Sequence, residues 1–147
     1  IKIFTNNQGN NINNAGVTLM TWDTTDVEYN NGYTFFNQIG NFCDSIIVPN
    51  TGRYSISYSV PFTSVVVRPT VRFTMFLNGV LIRGQTTNNY IRNGAGGSLS
   101  SSQNTNILNL TSGDRVDIRT QLTATAGNVT VNGGAGTGEA YFIFQEL

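Results

Sequence analysis

The stretch Gly52-Arg53-Tyr54-Ser55-Ile56-Ser57-Tyr58-Ser59-Val60-Pro61-Phe62 decides the fold class. Tyr54, Ile56, Tyr58, Val60 and Phe62 fall on one parity, and Ser55, Ser57 and Ser59 on the other. Side chains on a strand change faces at every residue, so this is a β-strand with a large apolar face and a small polar one. Surface strands usually carry Lys, Glu or Thr on their polar side. A row of Ser suits a face that another backbone or subunit approaches closely.

Working outward, the same texture recurs. Asn31-Gly32, Asn78-Gly79, Asn93-Gly94 and Asn132-Gly133 are turn signals, because Asn and Gly tolerate positive φ. Between turns lie short alternating runs at Val17 to Trp22, Ser45 to Val48, Val71 to Leu77, Val80 to Ile82, Val116 to Leu122, Val129 to Val131 and Ala140 to Leu147. Leu99 to Leu110 is a longer run in which Leu99 is out of phase with Leu108 and Leu110, which predicts a bulge or an interruption. No segment holds a 3.6-residue period over three turns. Strands at this spacing read as an all-β sandwich or barrel. Residues 1–14, rich in Asn, are expected to form a loop or spacer ahead of one domain over 15–147. No charged-then-apolar leader opens the chain, and an upstream leader or stalk is left open.

The last strand repeats the two-face problem. Tyr141 and Ile143 lie on one side, Phe142 and Phe144 on the other. A strand apolar on both sides is buried on both sides. In a two-sheet sandwich only one face meets the core, so a loop or another subunit must cover the second.

Composition narrows the function. Charged residues make up 11% of the 147, against roughly 25% in an average domain. The net charge is zero and the cations form no stripe, so nucleic acid is not an expected partner. No apolar run approaches the ~20 residues that span a bilayer, so membrane insertion is not expected. The chain has no His, which removes Ser–His–Asp catalysis and the usual zinc sites. Cys43, the single cysteine, reads as a small, partly buried residue beside Phe42. No enzyme activity, cofactor or metal is expected. Asp23, Asp26 and Glu28 supply oxygens that could suit Ca²⁺ or could simply sit in a solvated loop. Arg115, Asp117 and Arg119 share a face opposite Val116 and Ile118, either as a ligand-facing or inter-subunit ion network or as a solvated outer face. Gly94 to Gly97 and Gly133 to Gly136 carry no Lys and precede no helix, so they read as connections.

Several motifs in order resemble the tumour-necrosis-factor/C1q-like jelly roll. Gly52-Arg53-Tyr54 opens an alternating strand as Gly-x-Tyr does in that family. Leu108-Asn109-Leu110-Thr111-Ser112-Gly113-Asp114-Arg115-Val116 resembles its aliphatic-x-Leu followed by Gly-Asp-x-Val. Tyr141 to Leu147 resembles its aromatic closing strand, and the Asn78-Gly79 turn also fits. The resemblance covers about Val17 to Leu147. It implies a two-sheet jelly-roll sandwich that assembles as a homotrimer and binds partners without catalysis. Carried onto this sequence, it implies a trimer interface of Ser55, Ser57, Ser59, Gln103, Thr105, Ile107, Tyr141 and Ile143. Ser stands where larger residues are often found in the family.

Two functions follow as expectations. The first is a non-catalytic trimeric head of a fibre or spike, on a virion or other extracellular surface, that recognises a host receptor or glycan. The second is a structural capsid, spike or coat component whose task is assembly. For the first, the loops Asp23 to Tyr33, Gln85 to Gly97 and Thr125 to Thr137 are the expected contacts. Tyr29, Tyr33 and Tyr90 are their exposed aromatic candidates, because aromatic faces stack on sugars and amides bond to hydroxyls.

Overall fold

A computed structural model describes residues 1–5, 12, 15–64, 68–92, 98–124, 129–131 and 139–147. The strands in chain order are β1 (Lys2–Thr5), β2 (Thr18–Leu19), β3 (Trp22–Glu28), β4 (Thr34–Phe36), β5 (Phe42–Cys43), β6 (Ser45–Ile47), β7 (Gly52–Ser64), β8 (Thr70–Leu77), β9 (Val80–Tyr90), β10 (Ser98–Leu110), β11 (Arg115–Ala124), β12 (Val129–Val131) and β13 (Ala140–Glu146). No helix occurs among the described residues.

Two antiparallel sheets result. The first runs β10-β7-β13-β1-β3-β5, with β12 pairing the far end of β7; the second runs β4-β6-β11-β8-β9, with β2 added to β11. Neighbours in space are mostly distant in sequence. That crossing order is consistent with a jelly roll and differs from a simple meander. The apolar parity of each long strand points between the sheets. Tyr54, Ile56, Tyr58, Val60 and Phe62 of β7 are buried, as are Phe142 and Phe144 of β13, and they meet Val71, Phe73 and Met75 of β8. Trp22 packs on Phe142 at 5.2 Å between ring centres, and Phe62 on Phe73 at 5.6 Å. Two phenolic oxygens in this core are held: Tyr54 donates to the Asn50 carbonyl at 2.8 Å, and the Tyr58 hydroxyl bonds to that of Thr87 at 3.1 Å. Pairing keeps these polar tips from costing stability inside the sandwich.

Four features differ from the sequence expectations. Residues 1–5 are not spacer: β1 pairs with both β13 and β3, and Ile1 and Ile3 are buried, because a strand slot lies open beside β13. Residues 6–11, 13 and 14 lie outside the described residues. The expected bulge in Leu99 to Leu110 is absent, since β10 pairs with β7 in one unbroken register from Ser98↔Ser64 to Leu110↔Gly52. Leu99 is out of phase because it faces outward. Asp23 to Glu28 is strand, not loop. Gln85 to Tyr90 is also strand, because β9 continues past a register shift opposite Thr74/Phe76, where Gly84 takes φ 77°. At the Asn78-Gly79 turn both residues have positive φ, 51° and 81°, as a tight two-residue hairpin requires.

Candidate functional site

The outer face of the first sheet carries the most distinctive surface. Across β7 and β10, Ser55 stands opposite Ile107, Ser57 opposite Thr105 and Ser59 opposite Gln103. Across β7 and β13, Ser57 stands opposite Ile143 and Ser59 opposite Tyr141. Period-two geometry therefore brings all eight residues named from the sequence onto one face of three adjacent strands. None of them is charged. Gln103, Thr105 and Ile107 are exposed, the last at 50%; Ser55, Ser57, Tyr141 and Ile143 are half-buried; Ser59 is buried by its neighbours. The serine hydroxyls are short, so the backbone of β7 forms a shallow trough between the taller residues of β10 and β13.

Sequence reasoning missed part of this face. Leu99 pairs with Thr63, whose hydroxyl bonds that of Thr130 at 3.1 Å, so these three extend the face beyond Phe62. The odd phase of Leu99 was the signal. Phe4 lies opposite Tyr141, with the Lys2 ammonium 4.4 Å from the Phe4 ring centre. Lys2 also pairs with Glu28 at 3.3 Å and marks the edge where charge begins.

The three tyrosines do not form one site. Tyr29 is 79% exposed, in a left-handed conformation with φ 58°. Tyr33 is only 7% exposed, which corrects its assignment as an exposed aromatic. It packs edge-on against Phe144 at 5.8 Å and Tyr54 at 6.4 Å, because the Asn31-Gly32 turn directs the chain inward. Burial, with Tyr54 and Glu146 nearby, pushes its phenol up to about 12. Tyr29 and Tyr33 both line a groove of about 330 Å³ with Asn31, Gln145 and Glu146. Tyr90, 52% exposed, ends β9 opposite Thr70, at the other end of the sandwich. Of the loop Thr125 to Thr137 only β12 is described, and both glycine-rich segments lie outside the described residues.

The remaining candidates resolve separately. Asp23 accepts from the Thr25 backbone N–H at 2.9 Å and its hydroxyl at 2.7 Å, while Glu28 is tied to Lys2. Asp23 and Glu28 therefore engage different partners. Cys43 is buried, and burial with Asp44 beside it pushes the thiol up to about 12. On the outer face of the second sheet, Asp117 is 1% exposed and holds Arg119 through two bonds, 2.7 and 3.3 Å. The Arg119 guanidinium lies 4.0 Å from the Phe76 ring centre, and that of Arg115 lies 4.0 Å from Phe36. This is a packed ion–aromatic layer, not a loosely solvated row of charges.

No family model matches the chain, and no curated protein matches its sequence.

Proposed function

We propose that the chain is a non-catalytic head that assembles through the outer face of β7, β10 and β13 and recognises an extracellular receptor or glycan. The single observation that carries this is the uncharged patch at the centre of that face, bounded by Lys2 and Arg53. Ile107, Tyr141, Ile143 and Leu99 present apolar area around a serine trough, on the side of the sheet that the core does not use. Apolar surface contributes about 25 cal/mol per Å² when removed from water, so a second copy of this face is a favourable cover. The serines let the backbones approach. A jelly-roll strand order and the motifs that resemble the tumour-necrosis-factor/C1q-like family favour closure as a trimer. Recognition then falls to what remains outward, including Tyr29, Tyr90 and the outer face of the second sheet.

Light scattering or sedimentation at micromolar concentration is expected to give three times 16.0 kDa. A glycan array and a cell-binding assay, with Tyr29→Ala and Tyr90→Ala beside the parent chain, test recognition. A soluble monomer overturns the assembly. A trimer that binds no host surface and enters a capsid or coat supports the structural function instead.

A further inference from the structure

The outer face of the second sheet holds a groove of about 180 Å³. Arg72 and Arg119 line it, and among the described residues no carboxylate does. Arg72 stands opposite Gln121 in the β8/β11 register, and Arg119 opposite Thr74, so the two residues are diagonal neighbours on adjacent strands. Both are held in place. Arg119 gives Nε and Nη2 to Asp117 and stacks on Phe76. Arg72 gives Nε to the Asn88 side-chain oxygen at 3.1 Å and Nη1 to that of Gln121 at 3.5 Å. Arg119 Nη1 and Arg72 Nη2 have no hydrogen-bond partner among the described residues.

The walls are of two kinds. Phe76 and the exposed Leu81 and Val17 supply apolar surface. Thr86 and Gln121 supply a hydroxyl and an amide. Counting Asp117, Arg119 and Arg72 together, the groove carries one net positive charge. A monoanion neutralises it, whereas a dianionic phosphate leaves negative charge in excess. Guanidinium donors suit carboxylates, the hydroxyl and amide suit sugar hydroxyls, and the apolar wall suits the C–H face of a pyranose ring.

We infer that this groove binds the carboxylate-bearing sugar of an acidic glycan, an assignment that rests on the recognition-head function and gives it a ligand class. The groove lies on the sheet face opposite the proposed assembly face, so it stays open in the trimer.

The test is an NMR titration of the intact chain with glucuronate, glucose and glucose 6-phosphate, which share one ring and differ at its sixth carbon. Glucuronate is expected to bind at least about tenfold more tightly than glucose, the worth of one charge-assisted hydrogen bond. Removing Arg119 outright would leave Asp117 buried and unpaired, so the variants are R72A and R119K. Each is expected to weaken glucuronate about tenfold while leaving the folded spectrum intact. Equal affinity for glucuronate and glucose, tighter binding of the phosphate, or glucuronate binding untouched by both variants overturns the inference. Failure of the head function reads differently: glucuronate binds and R72A weakens it about tenfold, yet the array and cells show no binding. A head that captures only neutral glycans, with R72A inert, overturns the groove and keeps the head.

Discussion

Ile143 lies directly opposite Ser57, with Thr105 on the far side of the same serine. One short side chain thus separates two taller ones on neighbouring strands. The result is a trough whose floor is backbone and whose walls are Ile143, Tyr141 and Ile107. Such a shape would accept a ridge from another copy, and it gives the proposed assembly a site where one charge is decisive.

Ile143→Asp is expected to abolish the oligomer, because taking a carboxylate out of water costs several kcal/mol. Leu81→Asp, at an equally outward apolar residue of the second sheet, is expected to leave the oligomer intact. Sedimentation of both variants at the parent concentration checks this. Equal effects would mean that the assembly face lies elsewhere.

Phe142→Ala is expected to destabilise the fold by about 3–5 kcal/mol, the usual cost of emptying an aromatic site in a packed core. Phe142 is fully buried between Trp22 and Phe144, with ring centres at 5.2 and 4.7 Å. Trp22 is the only tryptophan, so its fluorescence in a urea titration reads the loss directly. A change below 1 kcal/mol, on the order of a surface substitution, would contradict the packing described.

Alkaline pH is expected to loosen the fold through Tyr33. Its folded-state pKa is raised from 10.0 to about 12 by burial first, then by Tyr54 and Glu146. Below pH 10 both folded and unfolded chains keep the proton, and the contribution is fully present. Between 10 and 12 the unfolded chain releases its proton while the folded one retains it, so stability falls. At about 1.4 kcal/mol per pKa unit, the loss is about 2–3 kcal/mol across that window. Tyr54, Tyr58 and Cys43 shift in the same direction, so the measurement is the difference between the parent and Tyr33→Phe. The variant is expected to lose less stability between pH 10 and 12; identical slopes would contradict the burial of Tyr33.

Cys43 is expected to resist thiol reagents at neutral pH. The thiolate is the reactive form, and a thiol pushed up to about 12 holds very little of it. Labelling with a maleimide should be about three orders of magnitude slower than for a free thiol and should become fast only in denaturant. Rapid labelling of the native chain would place Cys43 at the surface.

The alternation of β7 and β13 was legible because strand periodicity is local: once the chain is extended, Tyr54 and Ser55 cannot share a face. That parity separated the two faces of each strand, while the resemblance to the tumour-necrosis-factor/C1q-like family supplied the grouping of the eight outer-face residues from strands far apart in sequence. Parity failed where partners decide. Ile1 and Ile3 look like the start of a polar tail until β13 offers them a strand slot. Leu99 resembles a phase error until its register with Thr63 shows it facing outward. Tyr33 follows an Asn-Gly turn, a usual surface position, yet Phe144 and Tyr54 take it into the core.

Residue type and a two-residue period are enough to give long alternating strands such as β7, β11 and β13, their inward and outward parities, and the lack of a His-based catalytic site. Which strands are neighbours, and so which outward residues gather, is set by the closure of the two sheets. Arg72 and Arg119 are 47 positions apart and share a groove solely because β8 pairs with β11. Strand pairing uses backbone groups that every residue except proline carries, so its partners are settled by how the whole sandwich closes.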